Sequence, residues 1–77
     1  MKHKLLDCVV LARDLPEFGL RVGDLGTIVA IYHPNGLEIE FMKASGETQA
    51  VLTLTEADIR PIKADDIMSV RPLSLRA

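Results

Sequence analysis

The sequence lacks most of the residues on which small catalytic, metal-binding and disulfide-bonded proteins depend. Its 77 residues include no tryptophan, one cysteine and two histidines. A single cysteine excludes an internal disulfide, and His3 and His33 are too few and too far apart in sequence for a typical metal site. We expect both to be solvated. There is no phosphate loop ending in Lys-Ser/Thr, and no serine has a histidine placed to activate it. We therefore expect no catalytic residue, cofactor or metal.

Long apolar runs and clustered charges are absent too. No apolar run approaches the roughly 18 residues of a membrane span. The basic start, Met1–Lys4, resembles that of a signal peptide, but Asp7 soon interrupts the apolar stretch after it, so we expect a cytoplasmic protein. The net charge is −2, and the nine lysines and arginines are scattered. A nucleic-acid-binding surface needs concentrated positive charge, so this class of partner is disfavoured.

What the sequence does contain is a series of short apolar runs separated by turn residues, which indicates an all-β protein. Leu37–Phe41 alternates strictly, so its apolar side chains face the core while Glu38 and Glu40 face water. Gln49–Thr55 alternates as well. The two patterns predict four buried side chains: Ile39, Phe41, Leu52 and Leu54. Cys8 lies in the first apolar run, Leu5–Ala12, and we expect it to be a small buried hydrophobe.

Turn signals divide these runs into strands. Asn35-Gly36 between two strand-like runs predicts a two-residue type I′ hairpin with positive φ at Gly36. In Gly23–Gly26, Asp24 is placed to accept hydrogen bonds from nearby amides. Thr55–Asp58 fits a capping box that opens one short helical turn, which Pro61 prevents from continuing.

This order of elements predicts an SH3-like β-barrel of five short strands, with one short 3-10 turn before the last strand. The barrel would occupy residues 1–62, followed by an extended C-terminal tail, 63–77. The tail is too apolar to remain in water, so we expect it to pack on its own barrel or on a second subunit. We favour the second subunit, a homodimer, because a barrel this small has a thin stability margin. The candidate self-association residues are Ile67, Met68, Val70, Leu73 and Leu75.

Several stretches together resemble a known but uncharacterised family. They are Leu5–Leu20, Gly23–Val29, Leu52–Leu54 and Asp58–Pro61. In this order and spacing they resemble the bacterial family catalogued as domain of unknown function 4926, over roughly Leu5 to Ile62. The resemblance implies the small barrel fold and carries no activity.

Two hypotheses for function follow. The first is a non-catalytic protein–protein interaction module, in the manner of an antitoxin or immunity protein that binds the product of a neighbouring gene. Its candidate contact residues lie in the loop after the first strand, where an aromatic residue in an ordered loop is a favoured interface anchor: Leu15, Glu17, Phe18 and Leu20. Alternatively, Phe18 folds back over the barrel end. The second hypothesis is a nucleic-acid accessory protein, because Gly23–Val29 also resembles the turn and strand of KOW-type domains. The acidic loops here speak against it.

Overall fold

The computed structural model of the protein describes residues 3–73. Five antiparallel strands form one sheet in the order β4-β3-β2-β1-β5. Their bounds are β1 Cys8–Leu11, β2 Leu25–Tyr32, β3 Gly36–Met42, β4 Thr48–Thr55 and β5 Ile59–Pro61. The predicted all-β class with five strands is confirmed. This strand order places the first and last strands side by side.

Two 3-10 turns interrupt the loops. One covers Glu56–Asp58 immediately before β5, as predicted, and the capping box is present: the backbone N–H of Thr55 donates to Asp58 Oδ2 at 2.9 Å. The second covers Pro16–Phe18 in the loop between β1 and β2, where the sequence predicted only an ordered loop. Within residues 3–73, no helix is long and apolar enough to cross a membrane.

The core forms where the inward faces of the strands meet. Strand β3 shows the expected alternation, with Leu37, Ile39 and Phe41 buried and Glu38 and Glu40 on the other face. Ile39, Phe41 and Leu54 are buried as predicted, whereas Leu52 is only partly buried. The reason is position: β4 is an edge strand, so nothing in the sheet covers its far side.

The hairpin between β2 and β3 differs from the predicted type. The strands pair from Tyr32 opposite Gly36, so the chain reverses over three residues, 33–35, rather than at a two-residue Asn-Gly turn. Gly36 is the first residue of β3, and its φ is not positive. Pro34 explains the difference, because it fixes its own φ and places the turn one residue earlier than Asn35-Gly36 would.

Two single-residue expectations are wrong. Cys8 is exposed, because Val9 and Leu11 point into the core and the pleat turns Cys8 to the opposite face. An uninterrupted apolar run gives no sign of this alternation. His3 is buried rather than solvated, and its Nε2 lies 3.8 Å from Glu56 Oε2.

Residues 63–73 of the tail are bonded to their own barrel at two points. We call residues 63–73 the strap. Near its start Asp66 is bonded to Arg60 on β5, and near its end Arg71 is bonded to Asp24, just before β2. Strand β1 lies between β5 and β2, so the strap passes over the outer face of β1. There Val10, on the face opposite the core, is only 5% exposed.

Candidate functional site

An apolar groove lies at one end of the barrel, between the strap and the turns that flank β2 and β3. Its volume is about 510 Å³. Buried Leu20 and Phe41 belong to its wall. Its other large apolar residues are all at least one-third exposed: Val22, Leu25, Met42, Val70 and Leu73. The groove therefore presents apolar surface that the protein itself leaves in contact with water.

Arg71 fixes the strap along this groove. Its Nε donates to Asp24 Oδ1 at 2.8 Å, and its Nη2 donates to Asp24 Oδ2 at 2.6 Å and to the carbonyl of Gly19 at 3.0 Å. Burial alone would raise the pKa of Asp24. The hydrogen bonds from the Arg71 side chain and the Arg21 backbone outweigh burial and lower this pKa below its usual value. Two parallel bonds to one carboxylate set the angle of the strap as well as its position.

A second arginine holds the start of the strap in the same way. Arg60 Nη1 and Nη2 donate to the two carboxylate oxygens of Asp66 at 2.9 and 3.1 Å. The backbone N–H of Lys63 also donates to Asp66, at 2.7 Å. The hydrogen bond from Arg60, helped by that of Lys63, lowers the pKa of Asp66 to about 2. The strap is thus tied to the barrel at both ends.

Between these two ties the strap carries the most exposed apolar side chains of the described residues. Ile67 is 90% exposed and Val70 is 95% exposed, and Met68 is also mostly in water. Leu73 is at the limit between partly buried and exposed. Leu75, the fifth candidate self-association residue, lies outside the described residues. The strap is bonded to its own barrel through its arginine and aspartate, while Ile67, Met68 and Val70 remain mostly in water.

The loop between β1 and β2 separates the four candidate partner-contact residues into two pairs. Leu15 and Leu20 form an isolated bridge and are buried in the core, so they support the loop from within. Glu17 and Phe18 are on the surface, Phe18 with 40% of its area exposed. The Gln49 side chain donates to the carbonyl of Phe18 at 3.0 Å and thereby ties the loop to the start of β4.

The aspartates with perturbed pKa values take part in ion pairs that hold the fold together. Each aspartate with a lowered pKa is bonded to an arginine: Asp24 to Arg71, Asp58 to Arg13 and Asp66 to Arg60. Residues 3–73 contain no group of three side chains suited to hold a metal ion. The site that the structure assembles is an exposed apolar surface beside a strap that two arginine–aspartate pairs tie to the barrel.

The sequence analysis did not identify the ion pairs that hold this site together. The sequence predicts a local turn role for Asp24, which does accept the Arg21 backbone N–H at 2.8 Å, but its partner Arg71 is 47 residues away. Val22 and Met42 had no role assigned. The only signal for the arginines was that Val70-Arg71-Pro72-Leu73 repeats the pattern of residues 59–62.

A family model decides which proteins this chain is related to. The model described as a domain of unknown function, DUF4926, matches residues 5–61. The chain belongs to the DUF4926 family. No curated protein and no solved structure matches it. The DUF4926 match covers the five strands and includes Asp24, Glu17 and Phe18, whereas the strap lies beyond it.

Proposed function

We propose that the protein is a non-catalytic protein-interaction module. The observation that carries this proposal is the strap: two bidentate arginine–aspartate pairs hold it in place, yet Ile67 and Val70 remain almost fully in water. Apolar side chains that the fold fixes in an exposed position are characteristic of an interaction surface. If the strap only stabilised its own barrel, these side chains would be expected to face it.

The charge distribution supports a protein partner over a nucleic acid. Of the seven lysines and arginines in residues 3–73, four are paired with carboxylates of the same chain: Arg13, Lys43, Arg60 and Arg71. A nucleic-acid-binding surface needs free cationic side chains to replace the counterions of the phosphates. Binding to RNA or duplex DNA that weakens steeply with salt would contradict the proposal.

The strap surface is proposed to mediate self-association, as a homodimer. Light scattering at high micromolar concentration compares the wild type with Ile67→Asp/Val70→Asp, which places two charges on the strap. Leu6→Asp is the matched control, because Leu6 is also strongly exposed but lies at the other end of the chain. We expect a dimer mass for the wild type and Leu6→Asp and a monomer mass for the double variant. A wild-type monomer at this concentration would refute the homodimer.

The exposed part of the loop is proposed as the contact for a different protein, such as the product of a neighbouring gene. Phe18 is the anchor, because a partly exposed aromatic side chain on a loop supported from the core binds at low entropic cost. The test is co-purification of the neighbouring gene product with the wild type, Phe18→Ala and Leu6→Asp. We expect Phe18→Ala alone to lose the partner. Equal recovery with Phe18→Ala would reject this loop as the contact.

A further inference from the structure

The edge of the sheet formed by β4 is open, whereas the opposite edge is protected. Strand β5 is three residues long and ends in Pro61, and the strap follows it. Strand β4 has eight residues, Thr48–Thr55, none of them charged and none of them proline. Proteins normally protect edge strands with charges, prolines, bulges or short length. Here a bulge disturbs only the start of β4, opposite Phe41 and Met42.

The direction of the β4 backbone groups can be derived from one hydrogen bond. The Thr55 N–H donates to the carboxylate of Asp58, so it does not point at β3. Backbone N–H and C=O groups alternate in direction along a strand, so those of Val51 and Thr53 also point away from β3. Among the described residues, no backbone hydrogen bond joins Val51 or Thr53 to any segment beyond the β3–β4 pair. Each therefore offers one donor and one acceptor to an added strand.

The side chains around this edge include apolar surface that an added strand would cover. Val51 is exposed on the outer face, and Leu52 on the inner face is only partly covered by the core. A strand alongside β4 would shield both. At the start of β4, the Gln49 side chain holds the carbonyl of Phe18, so the exposed aromatic residue of the loop adjoins the same edge.

The charges at the two ends of β4 determine which kind of strand can pair with this edge. Glu47 precedes the strand and Glu56 follows it, and both side chains reach solvent. If a second copy paired its β4 here in antiparallel fashion, Glu47 of one copy would lie close to Glu56 of the other. Parallel pairing would place Glu47 beside Glu47. Like charges opposite each other destabilise a strand pair, so the edge disfavours its own copy. Lys43 lies 3.6 Å from Glu47, but an exposed pair of this kind is weak.

We propose that the β4 edge binds an extended segment of a different protein by strand addition, and that this segment has a β-branched centre and lysine or arginine at both ends. Main-chain hydrogen bonds to Val51 and Thr53 would supply affinity, and the two glutamates would supply selectivity. This proposal rests on the proposed function as a protein-interaction module, and it assigns the partner its chemistry.

The test uses the full-length protein and a short synthetic peptide of alternating threonine and valine with lysines at both ends. Two peptides carry N-methyl groups on every second residue, in the two alternate sets, so that only one set removes the N–H groups facing β4. A third peptide has glutamates in place of the lysines. We expect the lysine peptide to bind and to protect the Val51 and Thr53 amides from hydrogen exchange. One methylated peptide and the glutamate peptide should bind at least tenfold more weakly.

Protein variants separate backbone pairing from simple charge attraction. Thr53→Pro removes an outward N–H but no bond to β3, so the barrel should stay folded while binding weakens at least tenfold. Thr53→Val keeps the backbone group and should bind like the wild type. Glu47→Lys/Glu56→Lys should prefer the glutamate peptide. Binding that survives Thr53→Pro, with folding verified by circular dichroism, would overturn the proposal. So would no binding at about 1 mM lysine peptide.

The two proposals fail in different experiments. If the peptide does not bind but Phe18→Ala abolishes capture of the neighbouring gene product, the interaction module stands and strand addition is wrong. If the peptide protects Val51 and Thr53 but Phe18→Ala has no effect on that capture, strand addition stands and the loop contact is wrong.

Discussion

Replacing Gly26 with alanine tests how closely β2 packs against Ile39 and Phe41. Gly26 lies in β2 and faces the core, where a Cβ would be 2.5 Å from Ile39 Cγ2 and 3.0 Å from Phe41 Cε1. Both neighbours are almost completely buried, which restricts how far they can move to accept the added Cβ. We expect this overpacking to destabilise the protein by about 1–3 kcal/mol. Alanine also lowers the conformational entropy of the unfolded chain, which would offset about 0.4–1 kcal/mol of this destabilisation.

The measurement is urea unfolding followed by circular dichroism, because the protein has no tryptophan to report on unfolding. For a domain of 60–100 residues, each 1 kcal/mol also lowers Tm by roughly 4–8 °C. Ile39→Leu moves the branch of the side chain away from Gly26 and alone should cost less than about 1.5 kcal/mol. The double variant should then be more stable than the sum of the two single changes predicts.

Gly36→Ala is the matched control. Gly36 also lies in a strand, but its φ is not positive. An added Cβ would lie 3.3 Å from Tyr32 Cβ and 3.4 Å from the Tyr32 carbonyl oxygen, contacts that a shift of a few tenths of an ångström relieves. We expect an effect within about 0.5 kcal/mol. If Gly26→Ala were as mild as Gly36→Ala, the close packing of β2 against Ile39 and Phe41 would be wrong. A larger cost for Gly36→Ala than for Gly26→Ala would contradict this packing as well.

Three further predictions concern the core and the strap. Leu54→Ala should destabilise by about 2–5 kcal/mol and Leu52→Ala clearly less, because only Leu54 is fully buried; urea unfolding compares them. Asp66 has a pKa of about 2 in the folded protein, below the 3.8 usual for aspartate, so its contribution to stability is lost as the pH falls from about 4 to 2. Wild-type stability should therefore fall more steeply over this range than that of Asp66→Asn, whereas Asp65→Asn should behave like the wild type. Arg71→Gln should leave the barrel folded but make the strap more sensitive to proteases, and unchanged proteolysis would contradict its role as an anchor.

Local patterns in the sequence were sufficient for much of the barrel. Strict alternation over Leu37–Phe41 identified β3 and its buried face, because in a half-buried strand the polarity of each residue shows whether its side chain faces the core or the solvent. The capping box at Thr55–Asp58 was predictable for a similar reason, since both of its partners lie within one turn. Both features depend on neighbours in the chain.

The errors occurred where the deciding neighbour was distant or where two local signals competed. Asn35-Gly36 favoured one turn, but Pro34 beside it produced another. Cys8 could not be assigned to a face because its apolar neighbours Val9 and Val10 are both buried, one by the core and one on the outer face that the strap crosses. Leu52 follows the inward alternation, but alternation does not show that β4 is the edge of the sheet.

The strap shows most clearly what local patterns omit. Val70-Arg71-Pro72-Leu73 repeats the pattern of Ile59–Ile62, and one such repeat is too short to establish an internal duplication. Yet Arg60 and Arg71 make equivalent contacts. Each binds one aspartate with two hydrogen bonds and donates to the carbonyl of the proline that follows it. The family match ends at residue 61, so it includes Arg60 but not Asp66 or Arg71. The family relationship therefore accounts for the barrel, while the fixed apolar surface depends on bonds between the barrel and a segment outside the match.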